Sequence, residues 1–209
     1  MKKFEIKFPY EDLEFAKGIL GSIKAVRLYR EESQKDTYFL TGERFSHLLV
    51  REGTKERGII GKTRRTSITG IITNVNLLRL GKLSDLTKAK GILTITNGLM
   101  DQIEKSREVY RAEHALIYLD SVKDLGNFVK VSAYIRDPTE KAYKELFGIC
   151  MNYSKMFQRD SGDFTLLSYL ELLDKKRKDK DVNLTNEERR RKDFEFALEE
   201  RERKQKEKI

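Results

Sequence analysis

Two stretches of this chain combine charged residues with the β-branched and aromatic residues that strands favour. The first spans residues 104–110 and the second spans residues 115–122, with a short polar segment between them. Both are rich in β-branched and aromatic residues, so the pattern predicts a β-hairpin. Nearer the N-terminus, the apolar positions over residues 10–20 recur at helical spacing and predict a helix.

The predicted hairpin places charges where core residues would normally lie. Lys105 and Arg107 share one face of the first strand with Val109, and Asp120 shares a face of the return strand with Tyr118. If these faces meet inside a curved sheet, two cations and a carboxylate line a concave interior. Buried charges need opposite charges or ligands, so we expect a bound polyanion there, with or without a metal ion.

The chain changes character after residue 173. Residues 174–181 read DKKRKDKD, a run of mixed charge that predicts a flexible linker over 174–184. Thr185 and Glu188 then form a capping box, and we expect a highly charged C-terminal helix within residues 185–209. The basic cluster at 189–192 could contact nucleic-acid phosphates, although a solvated helix end is favoured by the charge pattern alone.

Composition restricts the function only broadly. The 209 residues carry a net charge of +9, which favours anionic partners without naming one. Cys150 is the only cysteine and reads as a buried thiol, and two histidines, His47 and His114, are too few for a histidine-based zinc site. No stretch is apolar enough to be a signal peptide or to span a bilayer, so we expect a cytoplasmic protein that does not enter the membrane.

One block in the second half of the chain carries a family resemblance. Asp120, Val122, the pair Leu125–Gly126 and Phe128 match the pattern D-x-V-x-x-L-G-x-F. This resembles the block D-x-V-x-x-L-G-x-F-x-E-x-E of the CYTH, or triphosphate tunnel metalloenzyme, superfamily. Class IV adenylate cyclases, thiamine triphosphatases, inorganic triphosphatases and fungal-type RNA triphosphatases belong to that superfamily.

Further segments resemble motifs of the same superfamily, in the same order along the chain. They cover residues 1–173, with the poorest match at 63–83, which we leave open as an extra strand or a loop. The matching segments are 3–7 for E-x-E-x-K, 34–39 for Q-x-D-x-Y-F, 48–52 for L-R-x-R, 58–62 for a strand ending in lysine, 105–110 for K-x-R-x-x-Y and 168–173 for S-Y-x-E-L-L.

The resemblance implies an α+β domain over residues 1–173. Its fold would be an antiparallel eight-stranded β-barrel with helices packed outside and a tunnel inside. The residues that would then grip a triphosphate are Lys7, Arg51, Lys62, Lys105 and Arg107. The carboxylates that would hold a divalent metal, Mg²⁺ or Mn²⁺, are Glu5 and Asp120.

The chain departs from the family pattern at three carboxylate positions. Lys3, Lys130 and Ser132 stand where the motifs have glutamates. Two lysines would repel a metal cation and would add contacts to phosphate, so both are additional tunnel candidates. A register one residue away from the one assumed would instead turn these lysines outward.

Three functions follow from this resemblance. The favoured one is binding of a triphosphate-bearing ligand (a nucleotide, a polyphosphate or an RNA 5′-triphosphate), with metal-dependent catalysis weakened or lost. The first alternative is an active metal-dependent triphosphatase or class IV-type adenylate cyclase. The second is a non-catalytic interaction scaffold, because a fold does not fix a function.

Overall fold

The computed structural model describes residues 2–42, 45–66, 71–134 and 140–182. Its helices are α1 (Leu13–Ser22), α2 (Leu83–Asn97), α3 (Glu140–Met156) and α4 (Tyr169–Val182), with a short 3₁₀ turn at Ser161–Asp163. Its strands are β1 (Lys2–Pro9), β2 (Val26–Phe39), β3 (His47–Glu52), β4 (Gly58–Thr66), β5 (Ile71–Arg79), β6 (Leu99–Arg111), β7 (Leu116–Val122) and β8 (Gly126–Tyr134).

The eight strands close into an antiparallel barrel in the order β1-β5-β4-β3-β2-β6-β7-β8. This confirms the predicted α+β fold class. The segment that resembled the family least, 63–83, contains the end of β4 and the whole of β5. Because β5 pairs with both β1 and β4, it is the strand that closes the ring on that side.

The apolar core lies between the outside of the barrel and the helices. On β1, Phe4, Ile6 and Phe8 are almost fully buried, and the Phe4 ring meets that of Phe147 on α3 edge to face. The residues between them, such as Glu5, face the opposite side of the strand. The outer face of this strand therefore binds the helices, which leaves the barrel interior to the charged residues.

Helix α1 begins three residues later than the sequence pattern predicted. The Asp12 carboxylate accepts a hydrogen bond from the backbone N–H of Phe15 and caps the helix. Tyr10, which the prediction included, donates its backbone N–H to the carbonyl of Asn127. Tyr10 therefore still belongs to the barrel, and the helix spans Leu13–Ser22.

The charged run at 174–181 is helical, so the predicted flexible linker is wrong for these residues. They continue α4, where Lys178 pairs with Asp174 one turn earlier at 2.8 Å. Lysine and arginine favour helices, and such i,i+4 pairs support a helix that has few apolar residues. The predicted C-terminal helix at 185–209 lies outside the described residues. The boundary at residue 173 stays a prediction, and the first compact unit is Met1–Leu170.

Candidate functional site

The hairpin β6–β7 brings its charged residues together inside the barrel, as the alternation predicted. Arg107 lies opposite Asp120 in the strand register and donates from Nε and Nη2 to the two carboxylate oxygens, each at 2.6 Å. The hydroxyl of Tyr169 donates to the same carboxylate at 2.7 Å. Asp120 is fully buried, and although burial alone would raise its pKa, Arg107 holds the pKa well below the usual value.

A second carboxylate inside the barrel is also held by cations. Asp36 on β2 accepts hydrogen bonds from Nε and Nη2 of Arg51, at 2.7 and 2.8 Å, and from Nζ of Lys105, at 2.8 Å. Burial opposes the charge of Asp36, but these two cations keep its pKa well below normal. Arg51 also contacts Glu56. Asp36 is therefore an ionised carboxylate whose oxygens are already engaged.

The third carboxylate, Glu5 on β1, lies between two lysines. The Nζ atoms of Lys3 and Lys130 are 2.9 and 3.1 Å from Glu5 Oε1. In the register of β1 and β8, Lys3 lies opposite Tyr134 and Glu5 lies opposite Ser132, so these residues share the inner face. The alternative register, one residue away, therefore does not occur, and both lysines point into the tunnel.

All seven basic residues singled out in the sequence line one cavity of about 430 Å³, a volume typical of ligand sites. They are Lys3, Lys7, Arg51, Lys62, Lys105, Arg107 and Lys130. Arg64 and Arg79 line the same cavity, whereas its lining carboxylates among the described residues are Glu5 and Glu56. Asp36 and Asp120 lie behind this lining, each bound to the cations described above. Positive charge is thus in excess where a ligand would lie.

For three of the lining lysines, the surroundings disfavour the charged form and lower the pKa. Burial, together with repulsion by Arg51, lowers the pKa of Lys62 well below its usual value, and the described residues give Lys62 no carboxylate within ion-pair distance. Burial lowers the pKa of Lys105 to about 8 despite Asp36, and that of Lys130 to about 7 despite Glu5. A bound polyanion would raise these pKa values again, because it would stabilise the charged form of each lysine.

One end of the tunnel, the Tyr169 end, is covered by the segment 165–169. The Tyr169 ring lies 4.2 Å from Lys7 Nζ and 5.1 Å from the Phe128 ring. Lys7 donates to the carbonyl of Leu167, and Arg64 on β4 donates to that of Leu166. Tyr169 also contacts Asp120 on β7 and Lys105 on β6. The segment 165–169 therefore contacts residues of five of the eight strands, namely β1, β4, β6, β7 and β8.

Sequence reasoning missed Asp36 and Tyr169 as site residues, although both lay inside quoted motifs. Asp36 occupies the D of Q-x-D-x-Y-F, and Tyr169 occupies the Y of S-Y-x-E-L-L. The sequence did offer a sign of Asp36 as a site residue. Its carboxylate lies in a strand end that is otherwise apolar, where Tyr38 and Phe39 are buried. A charge in such a place needs a partner, which β3 and β6 supply here.

The sequence model of the CYTH domain matches residues 1–169. This chain belongs to the CYTH domain family. No curated protein matches it. Solved structures share the CYTH fold, but their sequence identity to this chain is low. Their likeness to this chain therefore shows the fold alone.

Three of these structures illustrate the likeness. A conserved hypothetical protein from Pyrococcus furiosus is 21% identical, with a TM-score of 0.67 over 81% of this chain and 99% of that one. A putative adenylate cyclase from Vibrio parahaemolyticus is 16% identical, with a TM-score of 0.67 over 82% and 97%. A putative adenylyl cyclase from Hippeastrum, described as having a dominant triphosphatase activity, is 14% identical, with a TM-score of 0.55 over 83% and 95%.

Membership of the CYTH family is compatible with a divalent cation, but the carboxylates of this tunnel do not fit one. A hard cation such as Mg²⁺ needs several convergent carboxylate oxygens. Here Glu5, Asp36 and Asp120 are each neutralised by lysine or arginine, and no cluster of three potential ligands exists among the residues that the structure describes. Ser132, at a glutamate position of the motif, has a buried hydroxyl for which the part of the chain that the structure describes provides no hydrogen-bond partner.

No helix in the described ranges is long and apolar enough to span a membrane.

Proposed function

We propose that this CYTH domain binds a triphosphate-bearing ligand directly through the cations of its tunnel, with metal-dependent catalysis weakened or lost. The observation that carries the proposal is the charge distribution: basic residues exceed acidic ones along the cavity, and the buried carboxylates are already ion-paired. The ligand classes that fit are a nucleotide, a polyphosphate and an RNA 5′-triphosphate, because all three present several negative charges over a short length.

The proposed contacts differ between arginine and lysine. Arg107 uses Nε and Nη2 on Asp120, which leaves the donors on Nη1 for a phosphate oxygen. Within the described residues, no carboxylate lies within ion-pair distance of Lys62 to compete with the ligand, and this lysine supplies three N–H donors on a flexible stem. The full proposed set comprises Lys7, Arg51, Lys62, Lys105 and Arg107, with Lys3 and Lys130 as further contacts.

The same ion pairs account for the proposed loss of metal-dependent catalysis. A divalent cation entering beside Glu5 would meet the ammonium groups of Lys3 and Lys130 within about 3 Å of the same oxygen. Like charges at that distance repel strongly in a partly desolvated site. Glu5 and Asp120 remain the metal ligands to test, but each would have to give up its present partners first.

The second candidate is an active metal-dependent triphosphatase or class IV-type adenylate cyclase. It is favoured by the similarity in fold to the putative cyclases from Vibrio parahaemolyticus and Hippeastrum. A Mn²⁺-dependent release of phosphate would identify a triphosphatase, and a release of pyrophosphate from ATP would identify a cyclase. A scaffold would show neither activity nor ligand binding, and removal of the chain after Leu173 would abolish its partner binding.

The pH dependence of binding tests the proposed function. We expect the affinity for ATP, titrated in EDTA, to fall by about tenfold or more between pH 7 and pH 9.5. The free pKa of Lys130 is about 7 and that of Lys105 about 8, and a bound polyanion raises both. Binding therefore requires proton uptake once the pH exceeds these values. ATP suits this range because its terminal phosphate ionises at about pH 6.

The matched control is Lys105→Arg, which keeps the charge on this strand at high pH. Its affinity should fall less steeply with pH than that of the wild-type chain. Measurable binding with no pH dependence would remove Lys105 and Lys130 from the binding set. No binding at any pH would refute the proposed function.

A further inference from the structure

One face on the outside of the barrel is apolar and exposed. It lies where helix α2 ends, beside the end of β2 and the start of β6. Five large side chains in this place are each more than half exposed, namely Leu40, Ile92, Ile95, Leu99 and Met100. We call these five residues the α2 patch. Ile95 is 86% exposed, the highest value among the large apolar side chains of the described ranges.

Backbone contacts hold the two parts of the α2 patch together. The backbone N–H of Leu40 donates to the carbonyl of Gly98 at 3.1 Å, and the side-chain amide of Asn97 donates to the carbonyl of Leu40 at 3.2 Å. Gly98 has a φ of +83°, and a Cβ there would lie 3.3 Å from Leu40 Cδ1. Glycine therefore allows the sharp turn from α2 into β6 and the close approach of Leu40 to that turn.

The sequence around the α2 patch avoids charge. Residues 37–42 and 91–100 contain no Asp, Glu, Lys or Arg, in a chain that is 37% charged. The hydroxyls of Thr94 and Thr96 donate to backbone carbonyls of α2 four residues earlier. Because these hydroxyls bond within the helix, the methyl groups of both threonines add to the apolar surface.

The α2 patch is not the face that α2 uses to bind the barrel. Leu86 packs with Phe39 and Val50 in the core beneath the helix. Ile95 follows Leu86 by nine residues, which is two and a half turns at about 3.6 residues per turn, so Ile95 lies on the opposite side of α2. The helix therefore has a second apolar face after the barrel is packed, and exposed apolar surface of this kind marks a contact site.

We infer that the α2 patch binds the same patch on a second copy of this chain, in a two-fold symmetric dimer. The charge of the chain selects this occupant. Each copy carries a net charge of +9, so two copies repel each other, and contact is favoured where neither presents a charged side chain. A charged partner surface would lose water against this face without gaining an opposite charge. The α2 patch of a second copy presents the apolar surface that fits.

The area of the α2 patch is close to what such a dimer needs. A standard interface buries about 800 Å² on each partner, and about 65% of a homodimer interface is apolar. At about 120 Å² for a fully exposed side chain of this type, the five patch residues expose about 400 Å² of apolar surface. The methyl groups of Thr94 and Thr96 add to this area. We expect a reversible dimer with a dissociation constant in the micromolar range.

Sedimentation equilibrium of the full-length chain, between about 1 and 200 µM, tests this inference. Ile95→Glu would bury an unpaired carboxylate on each side of the contact, so it should raise the dissociation constant by at least about a hundredfold. The exposure of Ile95 means that this change should leave the urea midpoint unaltered. Phe15→Glu, the matched control, introduces the same charge at a 55% exposed residue of α1 and should leave the dimer intact.

Salt dependence distinguishes an apolar contact from an ionic one. Raising the NaCl concentration from about 0.1 to 0.5 M screens the repulsion between two positive chains, so the dimer should tighten. A contact made by ion pairs would weaken over the same range.

A dimer that Ile95→Glu dissociates, that Phe15→Glu retains and that salt tightens supports the inference. A chain that stays monomeric over the whole range overturns it. A dimer that Ile95→Glu leaves intact, that both variants weaken equally or that salt dissociates also overturns it, because the contact then lies elsewhere. The described lining of the tunnel cavity includes none of the five patch residues, so Ile95→Glu should bind inorganic triphosphate as the wild-type chain does. The proposed function is therefore tested separately.

Discussion

Replacing Arg107 with methionine is expected to lower the free energy of unfolding by about 3–5 kcal/mol. Arg107 is 6% exposed, and its guanidinium neutralises Asp120, which is 0% exposed. Methionine fills much of the same space, but among the described residues it leaves the buried Asp120 carboxylate with Tyr169 as its one side-chain hydrogen-bond donor. The stranded charge, rather than the lost ion pair, is the main source of the effect. Urea unfolding followed by far-ultraviolet circular dichroism measures it.

A double variant identifies the cause of this loss. Adding Asp120→Asn to Arg107→Met removes the stranded charge, so the double variant should be more stable than Arg107→Met alone. Should Arg107→Met fail to fold, the folding of the double variant still provides the comparison. A cost below about 1 kcal/mol for Arg107→Met, the range of exposed pairs, would contradict the view that this pair is buried and structural.

Replacing Lys62 with methionine is expected to weaken triphosphate binding by about tenfold to a hundredfold. In the same variant, stability should be unchanged or higher. Burial and repulsion by Arg51 disfavour the Lys62 charge, and the described residues offer it no carboxylate within ion-pair distance. The charge is thus a cost to the free protein that a bound anion converts into a favourable contact. Isothermal titration with inorganic triphosphate and urea unfolding measure the two effects.

Lys88→Met is the matched control for Lys62→Met. Lys88 is exposed on α2, so this variant removes the same charge from outside the tunnel and should leave the affinity within about twofold. Full affinity combined with lower stability in Lys62→Met would contradict the account. It would show that Lys62 supports the barrel and does not bind the ligand.

The residues that face the tunnel could be predicted where neighbouring positions in a single strand determine them. Strand alternation alone places Lys105 beside Arg107 and separates Glu5 from its apolar neighbours Phe4 and Ile6, because the period of a strand is two residues. The order of the family motifs then placed these strands in one barrel. Composition added little, since a net charge of +9 fits many anionic partners.

The partners of each charge could not be predicted, because they depend on contacts between distant strands. Asp36 meets Lys105 across 69 residues only because β2 pairs with β6, and Tyr169 reaches Asp120 across 49 residues from the start of α4. Sequence spacing carries no record of such pairings.

We propose that the tunnel cations bind triphosphate without a divalent metal. The most direct test titrates inorganic triphosphate into the full-length chain by calorimetry, once in EDTA and once in Mn²⁺, with phosphate release assayed in parallel. We predict binding in EDTA that is at least as tight as in Mn²⁺, and no metal-dependent phosphate release. Binding that appears only with Mn²⁺, accompanied by turnover that Glu5→Ala abolishes, would contradict metal-independent binding and identify an enzyme.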